Sequence, residues 1–256
     1  MGSQPSPFYV IAHRGASDRA PENTFAAFDL AAGAGAHELE TDVRVTRDGM
    51  AVLFHDASLQ RIAGDPRAIE ALSLEEAQGL DAGRHFSAEF SGQHIPTLEA
   101  FLDRYLARIP LQLELKSAES ADFVVNEIVR RNALGRILVT SFERDYLQQA
   151  LALEGRVKCG WLISTKTEIG AAEVKALGCM AIMPHASKLT AQSVAAAHAA
   201  GLVVRAWGVK SLALARQVIS SGADGCTYND PADLLRVLKE GGADVARALP
   251  PMALGI

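Results

Sequence analysis

Eight short runs of apolar residues, rich in Val, Ile and Leu, recur along this chain of 256 residues. Their hydrophobicity is nearly continuous rather than strictly alternating, which is what strands buried on both faces require. The runs therefore predict a parallel sheet covered by helices. They are Tyr9–Ala12, His37–Val43, Leu111–Leu115, Ile137–Thr140, Val157–Ile163, Cys179–Met183, Leu202–Ala206 and Ala223–Thr227.

The spacing of the runs narrows the choice of fold. Apart from one long gap, successive runs begin about 20 to 28 residues apart, the size of a compact strand–helix repeat. Helical periodicity is clearest after Thr97, which is the predicted N-cap of its helix. Eight strand–helix pairs close most economically as a (β/α)8 TIM barrel. The alternative is an open doubly wound sheet, but Gly33 and Gly35 precede a strand and lack the third glycine of a dinucleotide-binding fingerprint.

The one long gap, between the second and third runs, predicts an insertion. Residues 52–55 extend the second strand region, and the polar stretch 56–96 is too long for a connecting loop in a compact domain. We expect a small insertion with a short helix near Leu74–Leu80, placed where active-site lids lie. The predicted organisation is one barrel domain over residues 8–240, with the insertion at 56–96, followed by a loosely ordered tail at 241–256.

Charge and cysteine usage argue against several classes of protein. A net charge of −5 does not supply the dense basic surface that nucleic-acid binding needs. Cys159, Cys179 and Cys226 are far apart and show no C-x-x-C spacing, so neither a disulfide framework nor a zinc site is indicated. The sequence shows no secretory leader pattern and no apolar run long enough to span a membrane. We therefore expect a cytoplasmic protein without stable membrane insertion, acting on a small molecule.

Polar residues collect at the predicted carboxyl ends of the strands, where barrel enzymes carry their chemistry. Glu40 and Asp42 have the i, i+2 spacing that places both side chains on one face of a strand, as do Glu114 and Lys116. The candidates are His13 and Arg14 after the first run, Glu40 and Asp42 on the second, His55 after its extension, Glu114 and Lys116 on the third, and Trp207 after the seventh.

Three acids that interrupt apolar strands are expensive to bury without partners. Two carboxylates about 4 Å apart repel by about 4 kcal/mol at an effective dielectric near 20, so Glu40, Asp42 and Glu114 need a cation or a shared proton. A site lined by oxygen atoms suits one divalent cation, Mg²⁺ or Ca²⁺, rather than zinc. Two imidazoles, one Arg and one Lys beside such a site would supply acid, base and phosphate-binding charges. This combination predicts phosphodiester cleavage.

These residues also lie in a series of motifs that resembles, in order and spacing, the glycerophosphodiester phosphodiesterase family. The similarity covers nearly the whole chain, with weaker matches towards its end. The motifs are His13-Arg14-Gly15-Ala16, Pro21-Glu22-Asn23-Thr24, Glu40-x-Asp42-Val43, Thr46-x-Asp48-Gly49, His55-Asp56, Pro96-Thr97-Leu98 and Glu114-x-Lys116, followed by Ala223-Asp224-Gly225 and Asp230-Pro231.

The resemblance implies a metal-bearing TIM barrel with an insertion after the second strand. The implied reaction is hydrolysis of glycerophosphodiesters to an alcohol and sn-glycerol 3-phosphate. Which histidine is the acid, and whether water or the glycerol hydroxyl attacks, stay open. The roles that the resemblance implies are metal binding by Glu40, Asp42 and Glu114, acid/base catalysis by His13 and His55, and phosphate binding by Arg14 and Lys116.

The chain departs from the family pattern at one place. The family usually has Trp-Thr-Val-Asn on the seventh strand, whereas this chain has Trp207-Gly208-Val209-Lys210. Trp207 is available as an apolar wall for the glycerol of the substrate, or it packs between barrel and helix. The polar contacts at the following positions are changed, which bears on substrate preference.

Two other functions compete with this interpretation. A lysophospholipase D would use the same phosphate chemistry and would need an apolar groove, for which Phe86 and Phe90 are the candidate residues in the insertion. A non-catalytic barrel that binds a phosphate ligand is the alternative from a different class. The presence of every predicted acid, base and phosphate-binding residue argues against it.

Overall fold

Nine strands lie within residues 8–240, the part of the chain that this computed structural model describes. Each of the eight predicted runs coincides with a strand to within two residues at either end, and one short strand is additional. The strands are β1 (Tyr9–His13), β2 (Glu38–Val45), β3 (Ala51–Leu53), β4 (Leu111–Leu115), β5 (Ile137–Ser141), β6 (Lys158–Ile163), β7 (Ala181–Pro184), β8 (Val203–Ala206) and β9 (Gly225–Tyr228).

Hydrogen bonding closes eight of these strands into a ring. β1 pairs in parallel with β2 on one side and with β9 on the other. The remaining neighbours are also parallel, in the order β2, β4, β5, β6, β7, β8 and β9. The predicted (β/α)8 barrel is therefore confirmed. The open doubly wound sheet is excluded, because its two edge strands would not pair with each other.

Helices occupy the connections between the parallel strands. The predicted N-cap is confirmed: the side chain of Thr97 accepts a hydrogen bond from the backbone N–H of Ala100. No helix in residues 8–240 is both long and apolar enough to cross a bilayer. The helices are α1 (Phe25–Ala34), α2 (Gln60–Ala63), α3 (Leu74–Gln78), α4 (Leu98–Tyr105), α5 (Ala118–Arg130), α6 (Arg144–Leu153), α7 (Ala171–Leu177), α8 (Ala191–Ala199), α9 (Leu212–Ser220) and α10 (Pro231–Glu240).

The short strand β3 turns the chain back towards the mouth of the barrel. It pairs antiparallel with the end of β2, with Val43 opposite Leu53. The predicted extension of the second strand region is thus a hairpin rather than a continuation of β2. After β3, the backbone N–H of Phe54 donates to the carbonyl oxygen of Asp42 at 3.0 Å. This bond places His55, the next residue, beside the carboxyl end of β2.

Residues 56–96 have a small hydrophobic cluster of their own, which packs on the hairpin residues Val52 and Phe54. The helix expected near Leu74–Leu80 is observed as α3. The boundaries of the insertion stay a prediction, and the expected tail at 241–256 lies outside the described residues. The buried members of this cluster beyond residue 56 are Leu59, Ile62, Ile69, Leu72, Ala77, Ala82 and Ile95.

A buried ion pair lies inside the barrel at the end where β2 begins. Both terminal nitrogens of Arg205, on β8, donate to the two carboxylate oxygens of Glu38, on β2, at 2.7 Å each. Both side chains are almost fully buried. Two-point pairing of this kind satisfies a buried carboxylate and a buried guanidinium together. The two residues tie β2 to β8 across the barrel interior.

Glu38→Ala should lower the free energy of unfolding by about 3 to 5 kcal/mol, because Arg205 would lose its carboxylate partner and remain buried. Equilibrium urea denaturation measures this change. The double variant Glu38→Met, Arg205→Met should recover much of the loss, since it removes both charges. Glu154→Ala, which breaks an exposed pair with Arg156, is the matched control and should leave the transition midpoint in place. A Glu38→Ala variant as stable as the parent would contradict the prediction.

Candidate active site

Three buried carboxylates converge at the carboxyl end of β2 and β4. Glu40 and Asp42 share the inner face of β2, and the strand register places Asp42 opposite Glu114 on β4. One carboxylate oxygen from each residue lies within 4.8 Å of the others. The structure therefore brings together the three acids that the sequence proposes as metal ligands.

Two cations accompany these acids. The Arg14 Nε lies 3.1 Å from one carboxylate oxygen of Asp42, and the Lys116 Nζ lies 3.0 Å from the other. Lys116 also contacts Oε1 of Glu114. The backbone N–H of Arg14 donates to Glu40 Oε2 at 2.9 Å. Three carboxylates thus face two cations, and both cations contact Asp42.

The turn after β1 is shaped to deliver these contacts. Arg14 adopts a positive φ of 56°, which is uncommon for a residue with a side chain. Gly15 follows with a φ of 82°, and a Cβ there would lie 2.6 Å from the backbone of Ala27. Only glycine therefore fits at position 15. The turn directs both the amide and the guanidinium of Arg14 towards the acids.

Asn23 orients Asp42 from a second direction. Its Nδ2 donates to Asp42 Oδ2 at 2.9 Å, while its Oδ1 accepts from the Thr41 hydroxyl at 2.7 Å. The Asp42 carboxylate can only accept, so the group that faces it is the amide NH₂ and the orientation of the amide is fixed. Asn23 also has a positive φ, of 56°. The Asp42 carboxylate is consequently held by three residues.

The two histidines lie at the same end of the barrel, and each has one ring nitrogen bound. His13 Nδ1 is 2.7 Å from Asn229 Oδ1, and Asn229 Nδ2 donates to Asp18 at 3.0 Å. His55 Nδ1 is 2.7 Å from Asp56 Oδ1. An amide oxygen and a carboxylate both accept, so each Nδ1 carries a proton and the Nε2 of each neutral ring is an acceptor.

Burial sets the protonation of the acids. It raises the pKa of Glu40 well above its usual range, and the charges of Asp42 and Glu114 raise it further. Burial also raises the pKa of Glu114 to about 7, against the opposing effect of Lys116. For Asp42, burial is outweighed by Lys116 and Arg14, which hold its pKa well below the usual range. Asp42 is therefore ionised and Glu40 keeps its proton, whereas Glu114 is partly protonated near neutral pH until further positive charge arrives.

Both imidazoles are held neutral by their surroundings. Burial lowers the pKa of His13 to about 4, and the charge of Arg14 acts in the same direction. Burial also lowers the pKa of His55, assisted by Arg14 and Lys116 and opposed by Asp42 and Asp56. Each ring is therefore able to accept a proton at neutral pH.

The site fits a divalent cation of the hard, oxygen-binding class. All the converging ligand atoms are carboxylate oxygens, which Mg²⁺ and Ca²⁺ prefer. Three carboxylates face two cations here, so the fully ionised cluster carries a net negative charge that a divalent cation would offset.

Two cavities open near this end of the barrel. One, of about 550 Å³, lies beside His55 and Lys116 and is also lined by Arg44, Ser58 and Arg61. The other, of about 450 Å³, lies between residues 164–170 and α8 and contains none of the predicted site residues. The first cavity adjoins two of the predicted site residues, His55 and Lys116.

Trp207 lies on the far side of the mouth. Its Nε1 donates to the carbonyl oxygen of Ile163 at 3.1 Å, and its ring meets those of Phe142 and His185 edge-on. The partly buried indole is thus fixed by packing as well as available as a wall. Gly208 has a φ of 72°, and a Cβ there would lie 2.5 Å from the His185 ring. Glycine rather than threonine therefore fits at position 208, because the His185 ring occupies the space that a threonine side chain would need.

Five residues that support the predicted groups were given no role by the sequence reasoning. Glu22 and Asn23 belong to one of the quoted motifs, Asp56 follows His55, and Asn229 directly follows β9. The position of each of these four in the sequence could therefore have indicated that it lies near the site. The position of Arg61, in the insertion, gave no such indication. The five are Glu22, Asn23, Asp56, Arg61 and Asn229.

Comparison with known proteins agrees with the motifs. Residues 13–233 match the model of the glycerophosphoryl diester phosphodiesterase family. The Bacillus subtilis protein YhdW is 33% identical over 239 residues, covering 89% of this chain and 97% of that protein. A glycerophosphodiester phosphodiesterase of Caldanaerobacter subterraneus is 28% identical, covering 91% and 98%. The structure of an Oleispira antarctica phosphodiesterase in complex with the product sn-glycerol-3-phosphate has 30% identity and a TM-score of 0.83, covering 91% of this chain and 97% of that one.

Binding of Mg²⁺ or Ca²⁺ should release protons, because the ligand carboxyls of Glu40 and Glu114 have raised pKa values and must ionise to bind. Affinity should therefore fall as the pH drops below about 7, the pKa of Glu114. Calorimetric titrations at about pH 6.5, in two buffers with different ionisation enthalpies, count the released protons. Affinity that stays constant between about pH 6 and 8, with no proton release, would refute this account.

Proposed function

Because the chain belongs to the glycerophosphoryl diester phosphodiesterase family, we propose that it hydrolyses glycerophosphodiesters to an alcohol and sn-glycerol 3-phosphate. The observation that carries this proposal is the convergence of three buried carboxylates, with two singly anchored histidines at the same barrel end. The product in the Oleispira antarctica structure supports the choice of substrate class.

The reaction makes one bond to phosphorus and breaks another. An attacking oxygen forms the new P–O bond and loses a proton, while the P–O bond to the alcohol breaks and the departing oxygen gains a proton. The chain must therefore accept one proton and deliver one for each turnover. His13 and His55 are the groups that we assign to this work, since the Nε2 of each has no hydrogen-bond partner within residues 8–240.

The different partners of the two histidines support a division of labour. Asp56 is a carboxylate, which stabilises a positively charged His55 ring. His13 is bound to a neutral amide and lies beside Arg14, so its ring resists protonation. We assign proton removal from the attacking oxygen to His13 and proton delivery to the leaving oxygen to His55. The negative phosphate of the substrate favours the protonated form of His55 in the complex.

Glu40, Asp42 and Glu114 would hold one Mg²⁺ or Ca²⁺. The bound ion would polarise a phosphoryl oxygen and offset the charge that develops there. Asn23 and the Arg14 amide hold two of these carboxylates in place, so the ligands keep their orientation without rearrangement.

Arg14 and Lys116 retain donors for the phosphate. Arg14 uses Nε towards Asp42 and Nη1 towards Glu22, and its Nη2 has no hydrogen-bond partner within residues 8–240. The ammonium of Lys116 has three protons and contacts two carboxylates. Each side chain can thus bind a phosphoryl oxygen while its other contacts keep it fixed.

The insertion 56–96 contributes the wall of the cavity on the leaving-group side, and we propose that it covers the mouth. Phe86 and Phe90, the candidate groove of a lysophospholipase D, pack edge-on against each other. Neither lines the cavity beside His55. The cavity is lined mainly by polar and charged residues, which favours an unacylated glycerophosphodiester over a lysophospholipid, whose acyl chain is carried on the glycerol.

His13→Ala and His55→Ala should each lower kcat on glycerophosphocholine by about 10² to 10⁴, with the fold retained. A p-nitrophenyl leaving group departs without protonation, so His55→Ala should recover much of its activity on glycerol 3-(p-nitrophenyl phosphate). His13→Ala should stay impaired on both substrates. Steady-state kinetics on the two substrates measures this. Recovery by His13→Ala instead would exchange the roles, and near-parental kcat on glycerophosphocholine in both variants would exclude the pair from catalysis.

Glu114→Gln should weaken Mg²⁺ or Ca²⁺ binding by about 100-fold or more, because it removes one of three charged ligands. Chelation should abolish hydrolysis in the parent protein. Glu119→Gln, on the exposed start of α5, is the matched control and should bind the ion as the parent does. Calorimetry of both variants decides the matter: unchanged affinity in Glu114→Gln would remove Glu114 from the ligand set.

A further inference from the structure

Arg61 lies in α2, at the start of the insertion, and uses three nitrogens on two carboxylates. Its Nη1 and Nη2 donate to the two oxygens of Glu22 at 2.8 and 2.7 Å. Its Nε donates to Asp56 Oδ2 at 2.7 Å. These contacts satisfy the guanidinium although 46% of the side chain is exposed.

Each of the two carboxylates is bound to a group of the proposed reaction. The second oxygen of Asp56 accepts from His55 Nδ1 at 2.7 Å. Glu22 Oε1 also accepts from Arg14 Nη1 at 3.0 Å. A continuous chain of charged hydrogen bonds therefore runs from His55 through Asp56, Arg61 and Glu22 to Arg14.

We infer that Arg61 is a positioning residue that fixes the His55 ring and the Arg14 guanidinium at the same time. The inference rests on the proposed function for its kinetic consequence, though not for its structural one. Arg61 also lines the cavity beside His55, but none of its hydrogen bonds within residues 8–240 reaches a candidate metal ligand. It acts through Asp56 and Glu22.

The physical reason is that neither carboxylate is fixed by its own segment. Asp56 follows the hairpin with a half-buried side chain, and without Arg61 its carboxylate would keep His55 as its one side-chain hydrogen-bond partner within residues 8–240, which leaves it freer to rotate. The guanidinium is a planar fork, and a carboxylate bound to it at 2.7 Å loses that freedom. A fixed Asp56 holds the His55 tautomer, with the proton on Nδ1.

A purely stabilising role would explain less. A bidentate arginine within a network of charges can stabilise the fold, but stability alone does not predict an effect confined to one of the two histidines. His13 provides an internal comparison, because its partners Asn229 and Asp18 have no described contact with Arg61. Loss of Arg61 should disturb His55 and leave His13 unchanged.

Ring-nitrogen NMR tests the structural consequence without any substrate. In the parent protein, the His55 signals should show a single neutral tautomer with the proton on Nδ1. In Arg61→Ala they should shift towards a mixture of tautomers, with the His13 signals in place. Guanidinium ion at millimolar concentration should restore the parental His55 signals, because the vacated position is open to solvent. Parental His55 signals in Arg61→Ala would overturn the inference.

Kinetics tests the functional consequence by separating the two branches. Asp56→Asn should lower kcat on glycerophosphocholine with little change in KM, and Glu22→Gln should mainly raise KM through Arg14. Arg61→Ala should show both effects, with kcat/KM reduced by about 10- to 100-fold. Arg61→Lys keeps the charge but not the fork, and should recover only a minor part.

Arg67→Ala is the matched control, since Arg67 is an exposed arginine of the same insertion whose partner is Asp65. It should leave kcat and KM at parental values. If Arg61→Ala changes activity no more than Arg67→Ala does, Arg61 is not a positioning residue. If the parent protein fails to hydrolyse the substrate, the proposed function is wrong, while the NMR result still decides whether Arg61 fixes His55.

Discussion

Three buried carboxyl groups, with one oxygen atom of each within 4.8 Å of the others, are the constraint on which this site depends. Burial and mutual repulsion both disfavour their ionisation, and each close pair costs about 4 kcal/mol at an effective dielectric near 20. Arg14 and Lys116 both contact Asp42 and favour its ionised form. Burial nevertheless raises the pKa values of Glu40 and Glu114. Because two cations do not balance three ionised carboxylates, the cluster gains free energy when a divalent cation binds. The incomplete compensation within the protein is therefore what makes the position suitable for a metal.

Part of the cost of forming this site is an unfavourable backbone conformation in the segment that follows β1. Arg14 and Asn23 both take positive φ values, and Gly15 fits only because it has no Cβ. Positive φ disfavours residues with side chains, typically by about 1 to 3 kcal/mol where the surrounding structure enforces it. In return, the Arg14 amide reaches Glu40 and the Asn23 amide reaches Asp42. The conformational cost lies in the turn that positions the site, rather than in the regular strands.

The sequence predicted the barrel from the periodicity of the apolar runs, and the convergence of the three acids from their places at the carboxyl ends of strands. Runs of apolar residues locate strands, and an i, i+2 spacing puts Glu40 with Asp42 on one face whatever the rest of the chain does. The hairpin through β3 and the bonds of Arg61 could not be predicted in this way, since they depend on how residues far apart in sequence meet. Arg61 and Glu22 are separated by 39 positions, and nothing in the composition of either segment indicates the other. The spacing of motifs identified the residues, whereas the hydrogen bonds show which group orients which.

The inner face of β2 shows how one strand accommodates buried acids in two different ways. Glu38, Glu40 and Asp42 alternate along that face, and all three are buried. Glu38 meets Arg205 in a two-point pair, so its charge is matched within the protein. Four residues further along, Asp42 lies among more carboxylates than cations and beside two histidines whose Nδ1 atoms are already bound. Burial of a carboxylate does not by itself indicate chemistry. The distinction lies in whether the protein balances the charge of the carboxylate completely, as at Glu38, or leaves an excess of negative charge that a bound cation would balance, as around Asp42.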